Sequence, residues 1–369
     1  MEEEKAGAEK REKKRIGVVG AGKISGMYLQ NLTGMFGKQV ILTGITDLVE
    51  ERAQKAAREY RIRCLKDADA LIACAEVDIV LNLSQPQHHY AVALATVRGG
   101  KHVYNEKPLC VNREEAAALL EAAQEQQVRV GCAPDTFLGA GIQTCRKLID
   151  DGWIGRPLAA VAFMMNHGHE HWHPDPAFYY KTGGGPLFDM GPYYLTALVN
   201  LLGPIARVSG SAQQSFKTRT ITSEPLNGQV ITVEVPTHIG GVLDFVSGAV
   251  GTIITSFDVY AHSLPYIEIY GTEGTLKVPD PNTFGGPVLV RRGPAETWSE
   301  IPLLKDFPEN SRGLGVQDMA ESLSTNRPHR ASGELAYHVL EVMHGIHEAS
   351  ASGRYYPVQS VCSRPEPLV

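Results

Sequence analysis

The order of apolar runs and polar-faced segments predicts an α/β chain: a doubly wound parallel sheet in the first third, then an α+β half with a large, mostly antiparallel sheet. Three observations carry this. Between residues 15 and 131, short strand-like runs alternate with helical stretches, the pattern of parallel strands joined by crossover helices. Beyond residue 157, strand-like runs succeed one another without intervening helices, as antiparallel sheets require. The length, 369 residues, exceeds one ordinary domain. The expected division is a disordered charged arm over 1–14, a doubly wound domain over 15–133 and an α+β domain over 134–369.

In order, the first half reads as strand 16–19, a glycine turn and a helix through residue 32, then strand 40–45 ending at Asp47. Helix 50–60, strand 77–83 and helix 89–99 follow, then strand 102–104, an Ala-rich helix 113–126 and strand 128–130. The second half opens with helix 140–151. Strand-like runs at 157–165, 207–216, 230–246, 249–260, 266–270 and 275–278 follow it, and helix 333–349 closes the pattern.

Composition narrows the function classes. Apolar residues make up 43% of the chain and charged ones 21%, enough for two packed cores. A net charge of −6 gives no basic surface for nucleic acid. The one basic run, from Lys10 to Arg15, reads as part of a solvated arm. No stretch approaches ~18 consecutive apolar residues, so no membrane span is expected, and the N-terminus lacks the apolar core of a secretory signal. Six scattered cysteines form no C-x-x-C pair, which suits reduced thiols in the cytoplasm and no structural metal.

Gly20-x-Gly22-x-x-Ser25 lies between a strand and a helix. The first glycine permits a tight turn, the second lets backbone approach a diphosphate, and the helix start supplies N–H groups through Lys23, Ile24 and Ser25. Ser25 stands where a third small residue is usual. Asp47, at the end of the next strand, is placed to accept hydrogen bonds from an adenosine ribose. No basic residue immediately follows it, so NAD is favoured over NADP.

Further motifs carry a family resemblance. Pro86-x-x-His89, the run from Gly100 to Pro108 containing Glu106-Lys107-Pro108, and Gly183-Gly184-Gly185-Pro186-Leu187-Phe188-Asp189-Met190-Gly191 resemble the Gfo/Idh/MocA oxidoreductases, a group that includes glucose–fructose oxidoreductase and inositol dehydrogenase. The resemblance implies a Rossmann domain holding NAD through Gly20, Gly22, Lys23, Ile24, Ser25, Asp47, Ser84, Pro86, His89, Glu106 and Lys107. It implies an open second-domain sheet that forms a substrate wall and joins copies into a homo-oligomer, a dimer or tetramer. It implies hydride transfer at a hydroxyl-bearing carbon of a sugar, cyclitol or glycoside. Lys107 would stabilise or relay the hydroxyl proton. The family usually places Asp and His four residues apart on one helix face; here Asp189 is present and Tyr193 stands in the histidine's place. Tyrosine ordinarily holds its proton up to about pH 10, but a neighbouring Lys107 cation would loosen it; Tyr193 is therefore expected to act as general acid/base beside Lys107, with Asp189 orienting both, and the alternative leaves the proton to Lys107 alone.

The segment His167-Gly168-His169-Glu170-His171-Trp172-His173-Pro174 contains an H-E-x-x-H match. That motif needs a helix, which Gly168 and Pro174 disfavour. An extended segment would put four imidazoles on one side, where a transition metal could bind; a substrate-pocket loop is the favoured reading. His169, Trp172, His173, Tyr180 and Tyr194 are the expected substrate contacts, with no metal. His338, His344 and His347 are read as structural. Two rival functions stay open: an NAD-retaining glycosidase or lyase working by transient oxidation and elimination, and a non-catalytic dinucleotide-binding sensor.

Overall fold

The computed structural model describes residues 13–368, so nearly all of the expected charged arm lies outside the described residues. The chain divides into two compact units, each assembled from separated segments. The first takes the residues up to Glu106 together with Ala117–Ala133 and Arg312–Gly333; the second takes Lys107–Ala116, Pro134–Ser311 and the residues from Glu334.

The first unit is built from β1 (Lys14–Val19), α1 (Ser25–Thr33), β2 (Val40–Thr46), α2 (Glu50–Tyr60), β3 (Arg63–Cys64), α3 (Ala68–Ile72), β4 (Ile79–Asn82), α4 (His89–Arg98), β5 (His102–Asn105), α5 (Arg113–Glu125) and β6 (Val130–Cys132). Its six strands are all parallel, in the order β3-β2-β1-β4-β5-β6. The chain starts mid-sheet, winds outward to β3, then returns past β1 and winds the other way. Ile16, Val18, Ile45, Val80, Leu81 and Val103 are fully buried, as a sheet covered on both faces demands.

The second unit contains α6 (Ala140–Asp150), β7 (Pro157–Met165), α7 (Pro186–Leu202), β8 (Ile205–Gln213), β9 (Thr218–Thr220), β10 (Val230–Thr232), β11 (His238–Phe245), β12 (Val250–Ser256), β13 (Ile267–Gly271), β14 (Gly274–Val278), β15 (Val288–Arg292) and β16 (Ser299–Ile301). A helix returned to the first unit, α8 (Leu314–Thr325), precedes α9 (Gly333–Ser352) and β17 (Tyr356–Pro357). Nine strands form one sheet, β16-β15-β14-β13-β7-β12-β11-β8-β17, antiparallel except for the β7–β12 pair; β9 and β10 pair separately.

Several elements differ from expectation. The run 230–246 is two strands, since Pro236 lies between β10 and β11 and cannot donate to a ladder. α8 was not read at all. It is bounded by Gly313 and Asn326, both left-handed, and Asp318 within it is 1% exposed, accepting from Arg327 and from the Arg330 N–H, each at 2.7 Å. Arg129 Nη1 donates to Ser322 Oγ and to the Arg327 carbonyl at 2.7 Å. Polar bonds thus hold this late segment against the early one.

Candidate active site

In the first unit the turn Gly20-Ala21-Gly22 leaves β1 at its carboxyl end, where strand order reverses between β2 and β4. Ligands of open α/β sheets bind at such a switch point. Gly20 has φ +105°, and a Cβ there would sit 2.6 Å from the Leu83 carbonyl oxygen, so a side chain is excluded. At Gly22 a Cβ would meet nothing within 4 Å; the space in front of it is open. Asp47 braces the turn, accepting from the Ala21 N–H at 2.6 Å and the Val49 N–H at 2.7 Å. Ser25 is buried and its hydroxyl donates to the Gly22 carbonyl at 2.7 Å, while Lys23 and Ile24 are exposed. The first turn of α1 has no acidic residue, and a cavity of about 490 Å³ beside it is lined by Gly22 and by three cations, Lys23, Arg52 and Lys55, against one carboxylate, Glu59. Open glycine space, a helix start and nearby cations suit a dinucleotide diphosphate.

Across this crevice, Ser84 Oγ donates to Asn82 Oδ1 at 2.7 Å, and Pro86 opens a short 3-10 turn. His89 departs from the expected cofactor contact. It is completely buried, with Nε2 3.0 Å from the Ser84 carbonyl oxygen, so it supports the turn from behind. Glu106 accepts from the Tyr28 hydroxyl at 2.8 Å, tying the end of β5 to α1.

In the second unit Lys107 is fixed on an aspartate. Its Nζ donates to Asp189 Oδ1 at 2.9 Å and to the Asp189 carbonyl at 2.6 Å, and both side chains are only 17% exposed. Asp189 lies in the first turn of α7, entered through Gly185 (φ 90°) and Pro186, where the helix dipole favours an anion. Pro192 interrupts the backbone ladder just beyond. Asp189 Oδ2 lies 3.4 Å from His169 Nε2. Burial alone would raise this carboxyl, but the Lys107 ammonium, then the hydrogen bond and charge of His169, outweigh it and hold Asp189 at about 2. Tyr193, one turn along α7 and 9% exposed, has its ring centroid 5.2 Å from Lys107 Nζ, within cation–π range.

The aspartate thus joins Lys107 to a histidine that comes from the loop between β7 and α7, not from the helix. His169 was expected to touch substrate; its contact with Asp189, twenty positions on, has no local sequence signal. Tyr179 was not singled out as a site residue either. Its ring centroid is 4.0 Å from that of His169, and burial first, then the nearby Asp189 charge, pushes its hydroxyl up to about 12.

The histidine-rich segment is not extended. His173 N–H donates to the His169 carbonyl at 3.0 Å, closing a single turn in place of a period-two strand. His169 faces Asp189, His167 stacks on Tyr260 at 3.5 Å, and His173 packs against Phe178 and Tyr179. Glu170 accepts from the Tyr180 hydroxyl at 2.7 Å and pairs with Arg219 at 3.2 Å. Among the described residues, no three His, Cys, Asp or Glu side chains gather as a metal site. Trp172 is exposed and His173 partly so. Tyr180 and Tyr194 correct the expected substrate wall: they are 0% and 1% exposed, hence core residues that a substrate cannot reach. Burial pushes the hydroxyls of both sharply upward.

Comparison with known proteins matches residues 14–133 to the oxidoreductase family with an NAD-binding Rossmann fold, and residues 142–277 to the GFO/IDH/MocA C-terminal domain. Inositol 2-dehydrogenase 2 of Saccharopolyspora erythraea is 31% identical over 245 residues, 64% of this chain and 71% of that protein. This chain belongs to the Gfo/Idh/MocA oxidoreductase family. A second relative, the myo-inositol 2-dehydrogenase of Thermotoga maritima, is 25% identical over 264 residues, covering 71% of this chain and 74% of that one. The structure of levoglucosan dehydrogenase in complex with NADH and L-sorbose has a TM-score of 0.80 at 19% identity, covering 94% and 99% of the two chains. As a Gfo/Idh/MocA member, the protein is an NAD-dependent oxidoreductase.

Proposed function

We propose that the enzyme oxidises a hydroxyl-bearing carbon of a sugar or cyclitol, and that Lys107 and Tyr193 move the hydroxyl proton. The observation that carries this reading is the Asp189 carboxylate held between Lys107 at 2.9 Å and His169 at 3.4 Å. Relatives named as inositol dehydrogenases, and the fold neighbour bound to L-sorbose, support the substrate class. NAD, when bound through Gly20, Gly22, Lys23, Ile24, Ser25, Asp47, Ser84, Pro86 and Glu106, supplies the hydride acceptor. The carbinol oxygen must lose its proton as the carbon is oxidised. The Lys107 ammonium stabilises the negative charge developing on that oxygen; the carbinol proton passes to the Tyr193 oxygen as Tyr193 releases its own hydroxyl proton toward water, with Lys107 relaying it by taking up one proton as it gives up another. Asp189, ionised throughout the working pH range, balances the ammonium and fixes its position; His169 fixes the carboxylate. Trp172 and His173 offer a ring face and an imidazole to substrate hydroxyls.

A panel of sugars, cyclitols and aryl glycosides, followed by both NADH absorbance and aglycone release, tests this. Net NADH formation is expected. Aglycone release with no net NADH would replace oxidation with transient oxidation and elimination.

The oligomeric state and compartment belong to the same reading. One face of the nine-stranded sheet presents Val161, Phe163, Val242 and Ile254, only partly buried and brought side by side by the pairings Phe163 with Ile254 and Val161 and Val242 with Thr252. A second copy of the chain covers this stripe in a homo-oligomer. Among the described residues the six cysteines form no disulfide, which suits the cytoplasm; no helix among those residues is long and apolar enough to cross a membrane.

A further inference from the structure

The residues that follow His169 line a second cavity of about 380 Å³. Its rim carries two exposed rings. Tyr260, 85% exposed, stacks on His167 with the planes 18° apart, and Phe216 is about half exposed. Its wall includes Arg219, whose guanidinium pairs with Glu170 and Asp258 and lies 4.9 Å from the Phe216 ring centroid. Arg219 Nε and His167 Nδ1 are buried without a hydrogen-bond partner. The exposed hydroxyls of Thr218 and Thr220 and the exposed imidazole of His171 complete the lining.

Exposed aromatic faces beside hydroxyls and an imidazole match a sugar ring, which has an apolar C–H face and a polar rim. The charge decides which kind of sugar. One guanidinium faces two carboxylates, so the wall has no surplus positive charge for a phosphate or a uronate. The volume is at the small end of ligand pockets, sized for one ring. Glu170 and His171 follow His169 directly, so this cavity and the Asp189 cluster share one turn of chain, with successive Cα atoms about 3.8 Å apart.

We propose that the cavity is a second sugar subsite and that the substrate is a neutral glycoside, oxidised on one ring while the other lies against Tyr260 and Phe216. This rests on the oxidation of a sugar hydroxyl at Lys107. Saturation-transfer NMR tests it with cellobiose, maltose, lactose, trehalose and glucose, using the full-length protein and its Tyr260→Ala, Phe216→Ala and Lys107→Ala variants. At least one disaccharide is expected to receive saturation on both rings. Tyr260→Ala should weaken that disaccharide about tenfold, the scale of one aromatic contact, and lower the ratio of disaccharide to glucose kcat/KM by a similar factor. Tyr260 is exposed, so its removal spares folding, and Phe216→Ala provides a second reading. If no disaccharide binds, or both ring variants leave its Kd unchanged, the subsite is overturned. Lys107→Ala separates the two readings: wild-type turnover in that variant would sink the proposed chemistry, while saturation of the second ring would still stand.

Discussion

At the scale of residues, the informative contrast is between Tyr193 and His169. Tyr193→Phe keeps the ring beside Lys107 and removes only the hydroxyl. If that hydroxyl moves the proton, turnover falls roughly 10²–10⁴-fold with KM little changed; a near-normal rate assigns the proton to lysine alone. His169 acts through Asp189, so His169→Asn should lower kcat by a smaller factor and change the shape of the pH–rate profile, which a purely structural loss would not do. The two glycines make a second contrast. Gly20→Ala places a Cβ against the Leu83 carbonyl at positive φ, so its Tm should fall. Gly22→Ala meets no protein atom and fills space in front of α1; it should keep its Tm and weaken NAD binding at least about tenfold, as read by titration calorimetry. Sequence alone singled out Gly20, Gly22, Asp47, Lys107 and Asp189 as candidates, because each belongs to a short local pattern. The meeting of His169 with Asp189, and the burial of Tyr180, Tyr194 and His89, were not legible, since each depends on packing between segments distant in sequence.

At the scale of elements, α9 illustrates how a helix seats a neutral imidazole. His347 stacks on Phe188 of α7 with ring centroids 5.6 Å apart, and burial, then the neighbouring His344, depress it from 6.5 to about 4. The unfolded chain takes up this proton first, so stability declines as pH falls from about 6.5 toward about 4 and the effect levels off below that. His347→Leu should reduce the pH dependence of unfolding in this window by up to one proton, measured from urea midpoints between those limits. An unaltered slope would contradict a neutral His347 in the folded chain. Elements with strong periodicity, such as β7 and α6, were legible nearly to the residue. The split at Pro236 and the helix α8 were not; α8 begins and ends at left-handed residues that a periodicity reading passes over.

At the scale of the whole molecule, the succession of a parallel and then a mainly antiparallel sheet was readable because strand–helix alternation gives way to successive strands. The interleaving was not: Arg312–Gly333 returns to the first unit and Lys107–Ala116 departs to the second, and the bonds that tie the late segment to the first unit, from Arg129 to Ser322 and the Arg327 carbonyl, leave little periodic trace. If a second copy covers the open sheet face, Ile254→Lys should convert the oligomer to monomer in light scattering coupled to gel filtration; a wild-type protein that is already monomeric would contradict that interface. The chemistry itself is tested most directly by the single-turnover rate of NADH formation in Lys107→Ala, with NAD affinity measured alongside. A rate at least about 10²-fold below wild type at unchanged NAD affinity is the expected result. A wild-type rate in the variant would remove Lys107 from the reaction.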